Sequence, residues 1–201
     1  MGSKRYKPSR YHMYNRIQEF FNKNYHSSGK CLLVGDSLRG KGNGKVEIKN
    51  TAITDMLPKG CDIIAPVYPD VDIQCMPYED NSFDYVISDQ VLEHVKRPWF
   101  AASEVIRVLK PGGWCVITTC LMNHIHGIPE DYFRFTPDGL RVLFEDLSYI
   151  EQSEGFGNLG FVVKSLTGGF KVPVKKETSL EKEVTKNDNK NLYVVWVIGR
   201  K

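Results

Sequence analysis

Short apolar runs that alternate with helical patterns constrain this chain more than any other feature. Cys31-Leu32-Leu33-Val34, Phe83-Asp84-Tyr85-Val86-Ile87-Ser88 and Trp114–Leu121 are each rich in β-prone residues and too short to be ordinary helices, so they read as buried strands. Between and around them lie helical stripes. Met13, Ile17, Phe20 and Phe21 share one helical face before Ser27-Ser28-Gly29, with Arg16, Glu19 and Lys23 at other positions. Ala102, Val105, Ile106 and Leu109 form a second stripe after Pro98, which Lys110-Pro111-Gly112-Gly113 stops. A third helix is expected from Thr136, with Pro137 at its first position and Leu140, Leu143, Phe144 and Leu147 as its stripe. Leu192–Ile198 is a β-prone final strand. Strand and helix in alternation imply right-handed βαβ units: an α/β fold with a mostly parallel sheet and helices on both faces.

The intervening stretches carry weaker signals. Residues 36–61 hold Gly40, Gly42 and Gly44 among lysines, with Val46, Ile48 and Ile53 alternating with polar residues, which predicts a loop and one strand. Residues 62–73 hold two short apolar pieces around Pro66 and Pro69. The polar stretch Lys175–Asn191 reads as a connection before the last strand.

At 201 residues the chain is long enough for one full core, and a single domain over 1–201 is expected, with an N-terminal helical segment (1–29) and a core (30–201). A net charge of +3 is too small to imply a nucleic-acid partner, and the basic clusters at Lys4–Arg10 and Lys171–Lys186 read as solvated surface. The five cysteines include no CxxC pair, and Cys31 and Cys115 sit inside apolar runs. That usage points to a reducing, cytoplasmic compartment. Met1–Arg10 is polar and basic, unlike a signal peptide, and the apolar stretch near Trp114–Met122 is too short to span a bilayer.

In open α/β sheets, ligands bind beyond the carboxyl ends of the strands, where strand order reverses. That rule selects Gly35-Asp36-Ser37, Asp55 or Asp62, Asp72-Ile73, Ser88-Asp89-Gln90 and the segment Asn123–Arg134. These positions are rich in carboxylates, small residues and histidines, which suits a ribose diol and an adenine better than a phosphate. No Walker-type lysine follows the glycines, and no G-x-G-x-x-G follows the first strand, so a nucleoside triphosphatase and a nicotinamide dehydrogenase are disfavoured.

Three motifs stand in order along the chain: Met76-Pro77-Tyr78-Glu79-Asp80-Asn81-Ser82-Phe83-Asp84, Val91-Leu92-Glu93-His94-Val95 and Val108-Leu109-Lys110-Pro111-Gly112-Gly113. Over roughly residues 30–147 the chain resembles the class I S-adenosylmethionine-dependent methyltransferases, most of all their ubiquinone-biosynthesis-like branch. The resemblance implies a Rossmann-like methyltransferase fold with a seven-stranded sheet and S-adenosylmethionine as cofactor. It matches Gly35 to the first glycine of the cofactor loop, with Asp36 and Ser37 following. It leaves Asp55 or Asp62 as the acid for the ribose hydroxyls. Asp72, with Ile73, matches the acid beside the adenine amine, and Ser88, Asp89 and Gln90 match positions at the methionine end. A carboxylate suits such roles because it accepts two hydrogens at once, in charge-assisted bonds. The chain departs from the family where Leu33 replaces the usual acid before the glycine and Ser37 a usual glycine after it. Asp62 also stands only ten residues before Asp72, which leaves little room for a crossover helix.

Methyl transfer to a hydroxyl needs alignment and removal of a proton, a task suited to histidine. His94, His124 and His126 fall in the expected site, and in some sugar-modifying relatives the place of His94 serves as base. The segment His124-Ile125-His126-Gly127-Ile128-Pro129-Glu130-Asp131-Tyr132-Phe133-Arg134-Phe135-Thr136 resembles a stretch common in methyltransferases of glycan and surface-polysaccharide pathways. Its aromatics suit a sugar ring, and Asp131, Tyr132 and Arg134 are candidate substrate contacts. Asp131 and Arg134 also fit a structural ion pair holding the loop to the following helix. Two histidines at the His-x-His spacing of His124 and His126, with an aspartate, could instead hold a metal, but without a further clustered ligand none is expected. The leading expectation is an O-methyltransferase of a sugar hydroxyl on a glycan or nucleotide sugar, with a histidine base. The alternatives are a small-molecule hydroxyl such as a quinone or phenol, and a non-catalytic, cofactor-binding partner subunit. Ser88-Asp89-Gln90-Val91 differs from the Asn/Asp-Pro-Pro-Tyr signature of DNA-base or glutamine methylation.

Overall fold

The computed structural model describes residues 8–23, 28–35, 38–41, 45–48, 56–66, 71–127, 130–168 and 186–201. Helix α1 spans Pro8–Lys23. Strand β1 is Lys30–Gly35, and β2 (Leu38–Lys41) and β3 (Lys45–Ile48) follow. Then come β4 (Asp62–Ile64) and β5 (Phe83–Asp89). A 3-10 turn at Leu92–His94 leads into α2, Pro98–Val108, and β6, Leu109–Cys120. Helix α3 is Pro137–Leu143, β7 is Tyr149–Phe156, α4 is Leu159–Gly168 and β8 is Val194–Arg200.

Among the described residues the main sheet has six strands, in the order β4-β1-β5-β6-β8-β7, where seven were expected. Strands β4, β1, β5 and β6 are parallel, and β8 runs antiparallel to both β6 and β7. The sheet is therefore mostly parallel, as the alternating pattern implied. The chain leaves β1 toward β4 and returns to β5 on the other side, so strand order reverses between β1 and β5. After the second apolar piece, Asp72 and Cys75 form an isolated antiparallel bridge. In 36–61 the structure gives an antiparallel hairpin, β2–β3, separate from the main sheet, rather than a single strand.

Strand side chains alternate between two cores because successive residues point to opposite faces. Leu32, Val34, Val86, Ile117, Val195 and Val197 face α2 and α3, meeting Ala101, Ala102, Val105, Val108 and Leu140. Cys31, Leu33, Tyr85, Ile87, Val116 and Trp196 face α1, meeting Met13, Tyr14, Ile17, Phe20 and Phe21. Helix α3 begins where its sequence says it should: Thr136 caps it by accepting a hydrogen bond from the Gly139 amide at 3.0 Å, and Pro137 follows. Strand β6 starts earlier than the expected Trp114, pairing Leu109 with Phe83; the register then shifts and runs regularly from Trp114.

Candidate functional site

The carboxyl ends of β1 and β5 meet at Gly35 and Asp89, which are register partners. Gly35 has φ +125, and a Cβ there would stand 2.2 Å from the Asp89 carbonyl oxygen. Only glycine allows so close a crossing of β1 past the end of β5 at the switch point. Asp36, Ser37 and Asp55, also expected here, lie outside the described residues.

Asp89 is fully buried, and both its carboxylate oxygens are engaged. The Tyr14 hydroxyl donates to Oδ2 at 3.0 Å and the Thr118 hydroxyl to Oδ1 at 2.8 Å. Burial and the Asp89 charge push the Tyr14 phenol well above its usual range, so it stays a donor. Gln90 takes a left-handed φ of +56. Its backbone amide donates to the Thr118 carbonyl at 3.0 Å, and its side-chain amide to the Thr118 hydroxyl at 3.2 Å. Ser88 is fully buried with its hydroxyl unpaired.

Asp72 and Ile73 lie at this same end. Asp72 accepts from the Gln74 amide at 2.9 Å, and the Gln74 side chain in turn accepts from the Arg97 amide just ahead of α2. Ile73 is buried, while Asp72 is exposed. Asp62 is different. It opens β4 and pairs with Lys30 at the start of β1, so it stands at the amino end of the sheet, five register steps from Gly35. The expectation that Asp62 holds a ribose at the strand tips does not survive this placement.

The histidines converge beyond β6 and the 3-10 turn. The His94 and His126 rings meet edge to face, with centroids 4.9 Å apart. His94 Nδ1 bonds the Glu130 carbonyl, and His126 Nδ1 the His124 carbonyl at 2.9 Å. His124 is half-buried in the same loop. Glu93, unremarked as a site residue in the sequence, is fully buried beneath them. Its Oε2 accepts from the Thr119 hydroxyl at 2.7 Å, and its Oε1 lies 3.9 Å from His126 Nε2. Burial pushes the Glu93 carboxyl upward, against the weaker pull of the Thr119 bond. Its position between apolar Leu92 and the histidine was the available signal, since a buried acid in such a turn needs a purpose.

Asp131 and Arg134 spend themselves on the loop. Arg134 pairs with both Asp131 oxygens and donates to the carbonyls of His124 (2.7 Å) and Phe133 (2.8 Å). Asp131 Oδ2 also accepts from the His126 amide at 2.8 Å. The Arg134 bond holds the Asp131 carboxyl at about 2. With only 2% of its side chain exposed, Asp131 fits the structural ion pair better than a substrate contact. Tyr132 is exposed beside them, and its amide donates to the Glu93 carbonyl at 2.7 Å. Trp99 and Phe100, at the start of α2, are also exposed.

Comparisons with known proteins bear on this arrangement. The family model described as "Methyltransferase domain" matches residues 51–117. An uncharacterised methyltransferase of Mycobacterium tuberculosis is 46% identical over 43 residues, 21% of this chain and 17% of its own length. One from Mycobacterium avium is 44% identical over the same extent. The chain thus spans 17% of the length of these curated relatives. Among solved structures, the YcgJ protein of Bacillus subtilis aligns with a TM-score of 0.53 at 14% identity, over 95% of this chain and 98% of its own. A SAM-dependent methyltransferase of Methanosarcina mazei aligns with a TM-score of 0.51 at 15% identity, over 90% and 96%. The chain has the Rossmann-like fold of the class I S-adenosylmethionine-dependent methyltransferases, and its middle segment carries the sequence pattern of their methyltransferase domain.

Proposed function

We propose that the protein is a methyltransferase that uses S-adenosylmethionine to methylate a hydroxyl, on a sugar of a glycan or nucleotide sugar. The observation that carries this reading is the meeting of His94, His126 and buried Glu93 beside the strand tips that frame Gly35 and Ser88. The residues present fit the cofactor. Gly35 lets the end of β1 pass close against Asp89 at the switch point, Ser88 holds an unpaired buried hydroxyl, and Asp72 offers an exposed carboxylate at the same end. Gly35 would hold the cofactor by its backbone, Asp72 and Ile73 would flank the adenine, and Ser88 and Gln90 would line the methionine end. Asp89, with both oxygens engaged, would shape the pocket rather than bind directly. When bound, the cofactor supplies a methyl group already activated on a sulfonium.

The chain's own task is then to align the acceptor and remove its proton. His126 donates through Nδ1 to the His124 carbonyl, so its Nε2 is free of hydrogen and faces the cluster. That nitrogen accepts the hydroxyl proton, and the buried Glu93 carboxylate stabilises the resulting imidazolium. Exposed Tyr132, Trp99 and Phe100 supply aromatic faces of the kind on which sugar rings stack. The unbridged cysteines fit a cytoplasmic, reducing setting.

The test has two arms. Calorimetry with S-adenosylhomocysteine is expected to show binding, and mass spectrometry of nucleotide sugars and short glycans is expected to show methyl incorporation. His126→Ala is expected to lower turnover at least a hundredfold, within the range for a general base, with cofactor affinity changed less than about twofold. Full turnover in that variant excludes His126 as the base. Absence of cofactor binding favours a non-catalytic partner subunit, the reading that the saturated Asp89 would then explain. Incorporation into a quinone or phenol but no sugar moves the acceptor to a small-molecule hydroxyl.

A further inference from the structure

Glu93, His94 and His126 have a second chemical identity besides a base and its support. Glu93 Oε1 is buried without a hydrogen-bond partner, and an orphan carboxylate oxygen away from water is costly unless something positive meets it. Its partner oxygen is satisfied by Thr119, while the free one lies 3.9 Å from His126 Nε2. On each ring, Nδ1 faces a carbonyl, of Glu130 for His94 and of His124 for His126. A carbonyl only accepts, so each Nδ1 carries the hydrogen and each Nε2 presents its lone pair. Asp131 Oδ2, 3.2 Å from His126 Nδ1, reinforces the second ring. This is the outer support that metal-binding histidines have: the far nitrogen tied down, the tautomer fixed and the near nitrogen made more basic.

The ligand atoms of the three residues all lie within 4.8 Å of one another. A tetrahedral ion at about 2.0–2.2 Å from each ligand sets them about 3.4 Å apart, so a modest contraction closes the site. The sequence offered two histidines at His-x-His spacing and an aspartate; the fold instead sets His126 beside Glu93 and His94 from the turn after β5.

We propose that Glu93, His94 and His126 bind a divalent cation of the zinc type, through one carboxylate oxygen and two imidazole nitrogens, leaving the fourth position open. Two nitrogens of three ligands select zinc or cobalt over magnesium or calcium, which prefer oxygen. The open position takes a water or an acceptor oxygen and acidifies it. With the ion seated, His126 serves as a ligand, and the proton of a coordinated hydroxyl leaves to solvent. The binding claim rests on the same cluster that carries the methyl-transfer reading and gives His126 Nε2 a different role there, so the metal is read directly rather than through turnover.

The test is titration of the full chain, stripped with chelator, with cobalt(II) chloride alone, followed by visible absorption. Tetrahedral cobalt bound by nitrogen and oxygen gives intense visible bands, and cobalt bound by thiolate adds a near-ultraviolet charge-transfer band. This matters because Cys75 is exposed. The expected result is one saturable visible transition without the thiolate band, weakened at least tenfold in His94→Ala, His126→Ala and Glu93→Gln. The two histidines are only half-buried, so their variants should keep the fold, verified by circular dichroism. A missing visible transition, a transition unchanged in both histidine variants, or a thiolate band overturns the proposal. Any of these leaves the methyl-transfer reading to be judged separately by S-adenosylhomocysteine binding.

Discussion

Asp72 shows how much one side chain at a strand tip decides. Its carboxylate is exposed and is bonded, among the described residues, to the neighbouring Gln74, so it remains available to an amine on a ligand. A charge-assisted bond is worth about 1.5–3 kcal/mol, or roughly ten- to a hundredfold in affinity. Asp72→Ala is therefore expected to weaken S-adenosylhomocysteine binding by that factor in calorimetry, and unchanged affinity would remove Asp72 from the adenine side. Asp89 behaves oppositely because its oxygens already belong to Tyr14 and Thr118. Tyr14→Phe leaves a buried carboxylate short of a donor, which costs about 1–3 kcal/mol, measurable as a lower urea midpoint at unchanged slope. No shift in the midpoint would show that the bond contributes nothing. Asp89 was legible in the sequence as a strand-tip acid, but its saturation was not. The donor Tyr14 stands 75 residues away in sequence, and no local pattern links the two. Asp62 failed for a related reason: a carboxylate in a run is legible, but which end of the strand carries it depends on register.

At the scale of elements, Arg134 ties together the described parts of 123–136 by bridging Asp131 and the carbonyls of His124 and Phe133. Arg134→Ala strands the nearly buried Asp131 charge, and a loss of about 2 kcal/mol is expected, below the range for fully buried pairs because Arg134 is partly exposed. The same pair gives a pH dependence. The Asp131 carboxyl sits at about 2 in the fold, below the ordinary value of about 3.9. A depressed acid adds stability above its unfolded pKa and loses it as pH falls through the folded value, here at most about 2 kcal/mol lost between pH of about 4 and about 2. Urea midpoints of the wild type and Asp131→Asn should therefore differ at neutral pH and converge as the medium is acidified below about pH 4. A gap that stays constant would show that the ion pair does not set stability. The helix this loop feeds was legible, since Thr136 and Pro137 mark its start by local chemistry. Strand β7 was not. Its residues Tyr149–Phe156 alternate exposed and half-buried over the first half and pair on one side with β8, so the run mixes polar with apolar residues and carries no strong strand signal.

Across the whole molecule the sheet separates two cores, and both were visible in outline as apolar runs between helical stripes. The helix-facing alternation of β1, β5 and β6 assigns each strand side chain to one core or the other, and that alternation sorts the cysteines as well. Cys31 lies in the α1 core and Cys115 in the α2 core, both fully buried, as is Cys120 at the end of β6. Desolvation pushes the Cys115 and Cys120 thiols up to about 12 and Cys31 higher still, so none is a thiolate at neutral pH. Cys75 is exposed and Cys61 half-buried, with burial raising the Cys61 thiol as well. Reaction with an aromatic disulfide reagent at neutral pH is therefore expected to label Cys75 first and Cys61 more slowly. Cys31, Cys115 and Cys120 should stay silent until the sheet opens, at a rate set by unfolding rather than by reagent concentration. Denaturant should then release all five thiols, the count the sequence gives. If Cys115 reacts in the native protein as fast as Cys75, the central strand it occupies is not sealed between helices. The two-layered core that places Gly35, Ser88 and the histidines at one end of the sheet would then lose its support.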